Sequence, residues 1–163
     1  MRIVIGSDHA GFSLKQDIAA YLEGLGHKVL DLGPHNVDPV DFPDYAEAVG
    51  LAIQRGQAER GILICGSGVG VSVAANKMPG IRAAPCHDIY SAHQSVEHDD
   101  VNVLALGAQI IGPAVAHELV QAFLGASFSG KENHRRRVEK IKAMEVRYAG
   151  QAENHPPKEG EKS

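Results

Sequence analysis

Residues 61–70 read Gly-Ile-Leu-Ile-Cys-Gly-Ser-Gly-Val-Gly, and this stretch decides the fold. Its first half, Gly61–Cys65, is short, rich in branched apolar side chains and followed by glycine, which is typical of a buried strand. Small residues continue through about Lys77, and we interpret them as a helix. A buried strand that runs through a glycine-rich turn into a helix predicts a parallel sheet covered by helices.

The same alternation of strand and helix patterns continues on both sides of this stretch. Apolar runs predict four more strands, at Arg2–Gly6, His27–Leu32, Ile81–Pro85 and Val101–Leu106. Helical spacing of apolar residues predicts further helices at Gly11–Leu25, Asp44–Arg55, Asp88–Glu97, Pro113–Leu124 and Lys131–Tyr148. Residues 33–43 hold three prolines and predict a loop. The whole pattern predicts the α/β class, with a five-stranded parallel sheet covered on both faces.

Length and composition are those of an ordinary globular protein. The chain has 163 residues, of which 44% are hydrophobic and 22% are charged. We predict a single domain over residues 1–149. Residues 150–163 contain two prolines and no large apolar residue, which predicts a disordered C-terminal tail. A net charge of −4 argues against a general nucleic-acid binder, and the apolar runs are too short to span a membrane.

The first residues and the cysteines favour a cytoplasmic location. Residues 1–9 reach a polar cluster after three apolar residues, which is not the pattern of a secretory signal peptide. Two cysteines without such a signal indicate free thiols in a reducing compartment. We therefore predict a cytoplasmic protein with no membrane partner and no nucleic-acid partner.

The glycine-rich turn after Cys65 stands where parallel α/β sheets bind ligands, outside the carboxyl end of a strand. Its three glycines can expose backbone N–H groups at a helix start, which suits a phosphate or an oxyanion. It lacks the Gly-Lys-Ser/Thr of a P-loop and the acidic residue of a dinucleotide fingerprint. Cys65 itself, at the start of a helix, could act as a thiolate base or nucleophile. A buried structural cysteine is the alternative.

Other polar residues near strand ends allow a functional and a structural interpretation. Asp8 and His9 could bind hydroxyls or an anion, or Asp8 could only cap the next helix. His98 suits proton transfer, with a solvated or capping histidine as the alternative. His87, His93 and His98 do not share a helix face, so we predict no metal site.

The last predicted helix is basic although the chain is acidic. Residues 131–147 hold seven Lys or Arg and three Glu, a local charge of +4, which indicates a local anion site. His134 and Arg137 lie three residues apart and share a face, and arginine suits bidentate phosphate contacts. A solvated basic face is the structural alternative.

Together, these residues resemble the type B ribose-5-phosphate isomerases, whose wider family includes the galactose-6-phosphate isomerase subunits. The matching blocks are Gly-Ser-Asp-His-Ala-Gly at 6–11, Cys-Gly-Ser-Gly-Val-Gly-Val-Ser-Val-Ala-Ala-Asn-Lys at 65–77, Gly-Ile-Arg-Ala-Ala at 80–84, Glu-His-Asp-Asp-Val-Asn-Val-Leu at 97–104 and His-Arg-Arg-Arg-Val at 134–138. The resemblance runs to about residue 148. It implies a single-domain, Rossmann-like three-layer sandwich whose C-terminal helix reaches a partner subunit, in a homodimer or tetramer with a composite active site.

The resemblance also implies an activity and roles for the residues. The family interconverts ribose 5-phosphate and ribulose 5-phosphate in the pentose phosphate pathway, without metal or cofactor. Cys65 would move the proton between C2 and C1, Ser67 would assist it, and His98 would open the furanose ring. The backbone N–H groups that would stabilise the enediolate are those of Gly66, Gly68, Val69 and Gly70. The substrate contacts would come from Asp8, His9 and Asp99, and the phosphate contacts from His134 and Arg137.

Four positions depart from the pattern that is common in that family. Asp99 stands where asparagine is frequent, Gln109 and Asn133 stand where arginine is frequent, and Phe42 stands where tyrosine is frequent. Two missing arginines leave open another sugar phosphate, such as allose 6-phosphate, galactose 6-phosphate or a tetrulose 4-phosphate. The non-enzymatic alternative is a flavodoxin-like phosphate-binding module, which would not need the thiol of Cys65.

Overall fold

The computed structural model describes residues 1–149, and the predicted tail of residues 150–163 lies outside the described residues. The described residues form two compact units, residues 1–129 and residues 130–149. The single domain predicted for residues 1–149 stays a prediction.

Strands and helices alternate in the order that the sequence predicts. The first unit contains β1 (Arg2–Ser7), α1 (Phe12–Gly24), β2 (Lys28–Asp31), α2 (Phe42–Gln54), β3 (Arg60–Cys65), α3 (Val69–Ala75), β4 (Ala83–Pro85), α4 (Ile89–Asp99), β5 (Val103–Gly107) and α5 (Pro113–Gly125). The second unit contains α6 (Glu132–Ala149). None of the helices described within residues 1–149 is long and apolar enough to cross a membrane.

The observed boundaries differ from the predicted ones where a turn residue intervenes. α2 begins two residues early, at Phe42, because Pro43 fits the first turn of a helix, where its missing N–H costs no bond. α3 begins at Val69, inside the predicted Gly66–Gly70 turn and directly after Gly68, which takes a left-handed conformation with φ of 79°, and it ends at Ala75, two residues before the predicted end. β5 begins at Val103 instead of residue 101, since the chain first turns through left-handed Asp100.

The five strands form one parallel sheet in the order β2-β1-β3-β5-β4, which confirms the predicted fold class. Side chains of α1, α4 and α5 pack on one face of this sheet and form the larger core cluster. Side chains of α2 and α3 pack on the other face in a second cluster. The first unit is therefore a three-layer α/β sandwich.

This strand order sets the position of a crevice. From the carboxyl ends of β1 and β5 the chain continues into α1 and α5, which cover one face of the sheet. From β3, which lies between them, it continues into α3 on the opposite face. Loops that leave neighbouring strands toward opposite faces open a crevice, and open α/β sheets bind ligands there. The structure thus places the end of β3, at Cys65, between two strands whose loops turn to the opposite face of the sheet.

Candidate active site

Asp8 and His9 follow the carboxyl end of β1, and both side chains make defined contacts. Asp8 is buried, and its Oδ1 accepts a 2.9 Å hydrogen bond from the backbone N–H of Gly11, which closes the turn into α1. The N–H of Asp8 donates to the carbonyl of Ile64 at 3.1 Å. His9 is exposed, and its Nδ1 accepts a 3.3 Å bond from the N–H of Val40. The turn is therefore tied both to β3 and to the loop before α2.

Cys65 is the last residue of β3, and its sulfur faces the glycine-rich turn. Its side chain is 5% exposed, and the backbone N–H of Gly68 donates to Sγ at 3.0 Å. An N–H group directed at sulfur stabilises negative charge there, which suits a thiolate base. The N–H of Val69 donates to Oγ of Ser67 at 3.3 Å. Two of the predicted enediolate donors, the N–H groups of Gly68 and Val69, are thus hydrogen-bonded within this stretch.

The end of β5 supports this loop from one side. Gly107 is paired with Cys65 in the sheet, and the N–H groups of Ala108 and Gln109 donate to the carbonyls of residues 65 and 66 at 2.8 and 3.0 Å. The two backbones touch, since a Cβ on Gly107 would lie 2.7 Å from the backbone carbon and oxygen of Ser67. A Cβ on Gly68 would lie 3.0 Å from the backbone carbon of Leu106. The loop therefore rests directly on the end of β5.

Three further side chains contact either this loop or the end of β5 beside it, and none was among the predicted site residues. The amide of Gln109 lies over Gly66, and the ring of Phe42 lies over Gly70. In the sequence, both positions stand out only as departures from a family pattern. His87 follows β4, and its Nε2 accepts a 2.9 Å bond from the N–H of Gly107. Its place two residues after a predicted strand was the available signal.

His98 and Asp99 do not meet Cys65 within one chain. α4 starts after the carboxyl end of β4 and runs back to the amino end of β5, so its last residues lie at the amino edge of the sheet. Arg82, just before β4, confirms this position, because its Nε donates to the carbonyl of Asp100 at 2.7 Å. β3 has six residues, and the five steps between them, at about 3.3 Å each, separate the two edges by roughly 16 Å. A pentose phosphate is too short to contact both.

α6 carries the predicted phosphate ligands, His134 and Arg137, on one face. His134 is buried, whereas Arg137 is exposed. The neighbouring arginines are engaged locally: Arg136 Nη1 pairs with Glu132 Oε1 at 3.1 Å, and Arg135 donates to a backbone carbonyl of the preceding turn at 2.7 Å. These two contacts do not involve Arg137.

The second cysteine has the properties of a structural residue. Cys86 is 3% exposed within the larger core cluster, and burial raises the pKa of its thiol. It forms no disulfide with Cys65, since both cysteines are free. Within residues 1–149 no group of three or more His, Cys, Asp and Glu side chains could hold a metal ion.

Known proteins match the chain over nearly its whole described length. The family profile described as "Ribose/Galactose Isomerase" matches residues 3–141. Ribose-5-phosphate isomerase B of Escherichia coli is 47% identical over 146 residues, which cover 90% of this chain and 97% of that protein. D-erythrulose-4-phosphate isomerase of Pectobacterium atrosepticum is 44% identical over 132 residues, which cover 80% of this chain and 86% of that protein.

A solved structure shares the fold as well as the sequence. Ribose-5-phosphate isomerase B of Clostridium thermocellum superposes with a TM-score of 0.89 at 47% identity, covering 91% of this chain and 99% of that one. These matches confirm the resemblance that the sequence blocks carry. The chain belongs to the ribose/galactose isomerase family, and it is an isomerase.

Proposed function

We propose that this isomerase interconverts ribose 5-phosphate and ribulose 5-phosphate, with Cys65 as the catalytic base and without metal or cofactor. The observation that carries the proposal is the 3.0 Å contact between the Gly68 N–H and Cys65 Sγ, at the head of a turn built to bind negative charge. The high identity to ribose-5-phosphate isomerase B of Escherichia coli supports the choice of substrate.

The proposed chemistry is one proton moved between two carbons. The thiolate of Cys65 takes the proton from C2 of the open-chain aldose, and an enediolate forms across C1 and C2. The sulfur returns that proton at C1, while the hydroxyl proton moves from O2 to O1, so that C2 becomes the ketone. A thiol accepts hydrogen bonds more weakly than a thiolate. The N–H of Gly68 is therefore released toward the enediolate oxygen when the sulfur carries the proton.

The remaining predicted roles require a second copy of the chain. His98 and Asp99 lie at the amino edge of the sheet and Cys65 lies at the carboxyl edge, so one substrate meets both only if two chains contribute. In the proposed homodimer, which can associate further into a tetramer, α6 brings His134 and Arg137 to the substrate phosphate of the neighbouring subunit. A two-fold axis makes both composite sites equivalent.

The cytoplasm is the compartment that suits this site. A base that works as a thiolate must stay reduced, and reducing compartments keep thiols such as that of Cys65 from forming disulfides. Both cysteines are free in the structure, which is compatible with that location.

Initial rates on four sugar phosphates test the substrate. We expect kcat/KM to be highest for ribose 5-phosphate, ahead of allose 6-phosphate, galactose 6-phosphate and D-erythrulose 4-phosphate, and to be unchanged by EDTA. A clear preference for D-erythrulose 4-phosphate would instead match the relative from Pectobacterium atrosepticum, and the uncharged Gln109 beside Gly66 gives that second candidate a structural basis. Binding without turnover of any substrate would support the phosphate-binding module.

We expect Arg137→Ala to raise KM for ribose 5-phosphate roughly tenfold or more with little change in kcat, because it removes a charge-assisted phosphate contact. Arg136→Ala is the matched control, since Arg136 pairs with Glu132 on its own helix, and its KM should stay near that of the wild type. The rate on unphosphorylated ribose should be equal in all three proteins. Equal increases of KM in both variants would mean that only the net charge of α6 matters.

A further inference from the structure

His87 lies at the border of the candidate site, and the proposed mechanism does not use it. Its ring is half-buried beyond the carboxyl end of β4, and its Nε2 accepts the 2.9 Å bond from the N–H of Gly107. Only an unprotonated ring nitrogen can accept, so the proton of the neutral ring is on Nδ1. The next residue, Asp88, caps α4 by accepting from the N–H of Ser91, and that bond lowers the pKa of its carboxyl.

The His87 ring continues the sheet where β4 stops. β4 ends at Pro85, and the N–H of Cys86 still donates to the carbonyl of Ala105 on β5. Gly107, two residues further along β5, presents its N–H to the same side, because alternate residues of a strand face the same neighbour. Gly107 is buried, and a buried N–H without an acceptor is costly. Because β4 ends at Pro85, its backbone offers no carbonyl to this N–H, and Nε2 of the His87 ring accepts the hydrogen bond instead.

The N–H of Gly107 belongs to the backbone that carries the Cys65 loop. Residues 106 and 107 touch the backbone of Ser67 and Gly68, as the 2.7 Å and 3.0 Å approaches of added Cβ atoms show. In the turn that follows Gly107, the N–H of Ala108 donates to the carbonyl of Cys65 at 2.8 Å. A shift of Gly107 would therefore move the peptide that donates to the Cys65 sulfur. Displacements of about 1 Å near a reacting group can cost on the order of a hundredfold in rate.

We propose that His87 is a positioning residue of the isomerase, which fixes the end of β5 through Gly107 and thereby holds the 66–70 loop in its working geometry. The inference rests on the proposed function of that loop in catalysis. His87 does not touch the reacting carbons in this scheme, and its effect reaches them through backbone contacts.

Two substitutions of His87 distinguish the effect of its hydrogen bond to Gly107 from the effect of its packing. His87→Gln keeps an acceptor oxygen at about the reach of Nε2, whereas His87→Ala leaves none. We expect His87→Ala to lower kcat on the order of tenfold, with KM nearly unchanged, and His87→Gln to restore most of the loss. His93→Ala is the matched control on α4, since His93 pairs with Glu97 on its own helix at 3.6 Å, and it should leave both constants as they are. A kcat loss in His87→Gln equal to that in His87→Ala would overturn the proposal.

NMR of the His87 ring nitrogen and of the backbone amides tests the proposal without measuring catalytic activity. In the wild type, the ¹⁵N shift of His87 Nε2 should be that of an unprotonated nitrogen, and a protonated Nε2 would contradict the proposal even if no variant folds. In His87→Ala the amide signals of Gly107 and Gly68 should both move, and in His93→Ala neither should. Movement of Gly107 alone would show that the loop is independent of His87. If activity does not need Cys65 but the amide signals of Gly107 and Gly68 still move in His87→Ala, the proposed catalytic role of Cys65 is wrong. The positioning of the loop by His87 then still holds.

Discussion

Cys65→Ala is expected to lower kcat by roughly 10²–10⁴-fold, the usual contribution of a general base, while the protein stays folded and still binds ribose 5-phosphate. The physical reason is local: no other thiol lies at the head of the 66–70 turn in residues 1–149, and the N–H of Gly68 is directed at this sulfur. Steady-state rates in both directions and a calorimetric Kd measure the two parts of the prediction.

Cys86→Ala is the matched control for that experiment. Cys86 is also a buried, free cysteine, but it lies in the core cluster with a thiol whose raised pKa keeps it neutral. Its loss should cost stability of about 1 kcal/mol and leave kcat near the wild-type value. Near-normal turnover by Cys65→Ala would refute the thiolate mechanism. A loss of ligand binding as large as the loss of turnover would show that Cys65 supports the loop instead of moving the proton.

A mixture of Cys65→Ala and His98→Asn chains, unfolded and refolded together, is expected to regain activity that neither variant has alone. In a composite site, Cys65 of one chain meets His98 of the other, so each mixed dimer contains one intact site and one doubly defective site. Random assortment then predicts about a quarter of the wild-type activity per chain. The opposite edges of the sheet on which the two residues lie make this the sharpest test of a shared site.

The reciprocal mixture is the matched control. Wild-type chains refolded with the double variant Cys65→Ala, His98→Asn give mixed dimers in which a composite site is always defective. If each site instead used Cys65 and His98 of the same chain, this mixture would keep one intact site and the first mixture would have none. A composite site therefore predicts about a quarter of the wild-type activity in both mixtures, which in the second comes from wild-type homodimers, whereas same-chain sites predict none in the first mixture and about half in the second. Mass spectrometry of the intact dimers confirms that mixed species formed in both.

Local patterns were enough for the order and type of the elements. The apolar run Gly61–Cys65 and the helical spacing in Pro113–Leu124 indicate which side chains are buried. They do so whichever elements of the core cover those side chains. The same is true of the candidate base: a cysteine between a buried strand and a glycine-rich turn lies at a carboxyl end in every parallel α/β sheet. The predicted start of α2 is two residues late, because Phe42 and Pro43 fall within the loop predicted for residues 33–43.

Chain order by itself also predicts the position of His98 in the fold. His98 precedes strand five, and a residue that precedes a parallel strand lies at the amino edge of the sheet. The resemblance assigns His98 and Cys65 to one active site. A sequence match of this kind gives the role of each residue but does not show which subunit supplies it. The structure separates the two residues because α4 runs antiparallel to the strands.

By itself, the sequence determined the α/β class, the parallel strands and the Cys65 turn, since these depend on residue type and on spacing within a few residues. Only the tertiary structure decided that β5 lies between β3 and β4, and with it that Gly107 supports the loop and His87 holds Gly107. Strand order depends on which non-local surfaces pack best, and no local period encodes that choice. A contact such as that of His87 with Gly107, twenty residues apart, exists only after the sheet has closed around it.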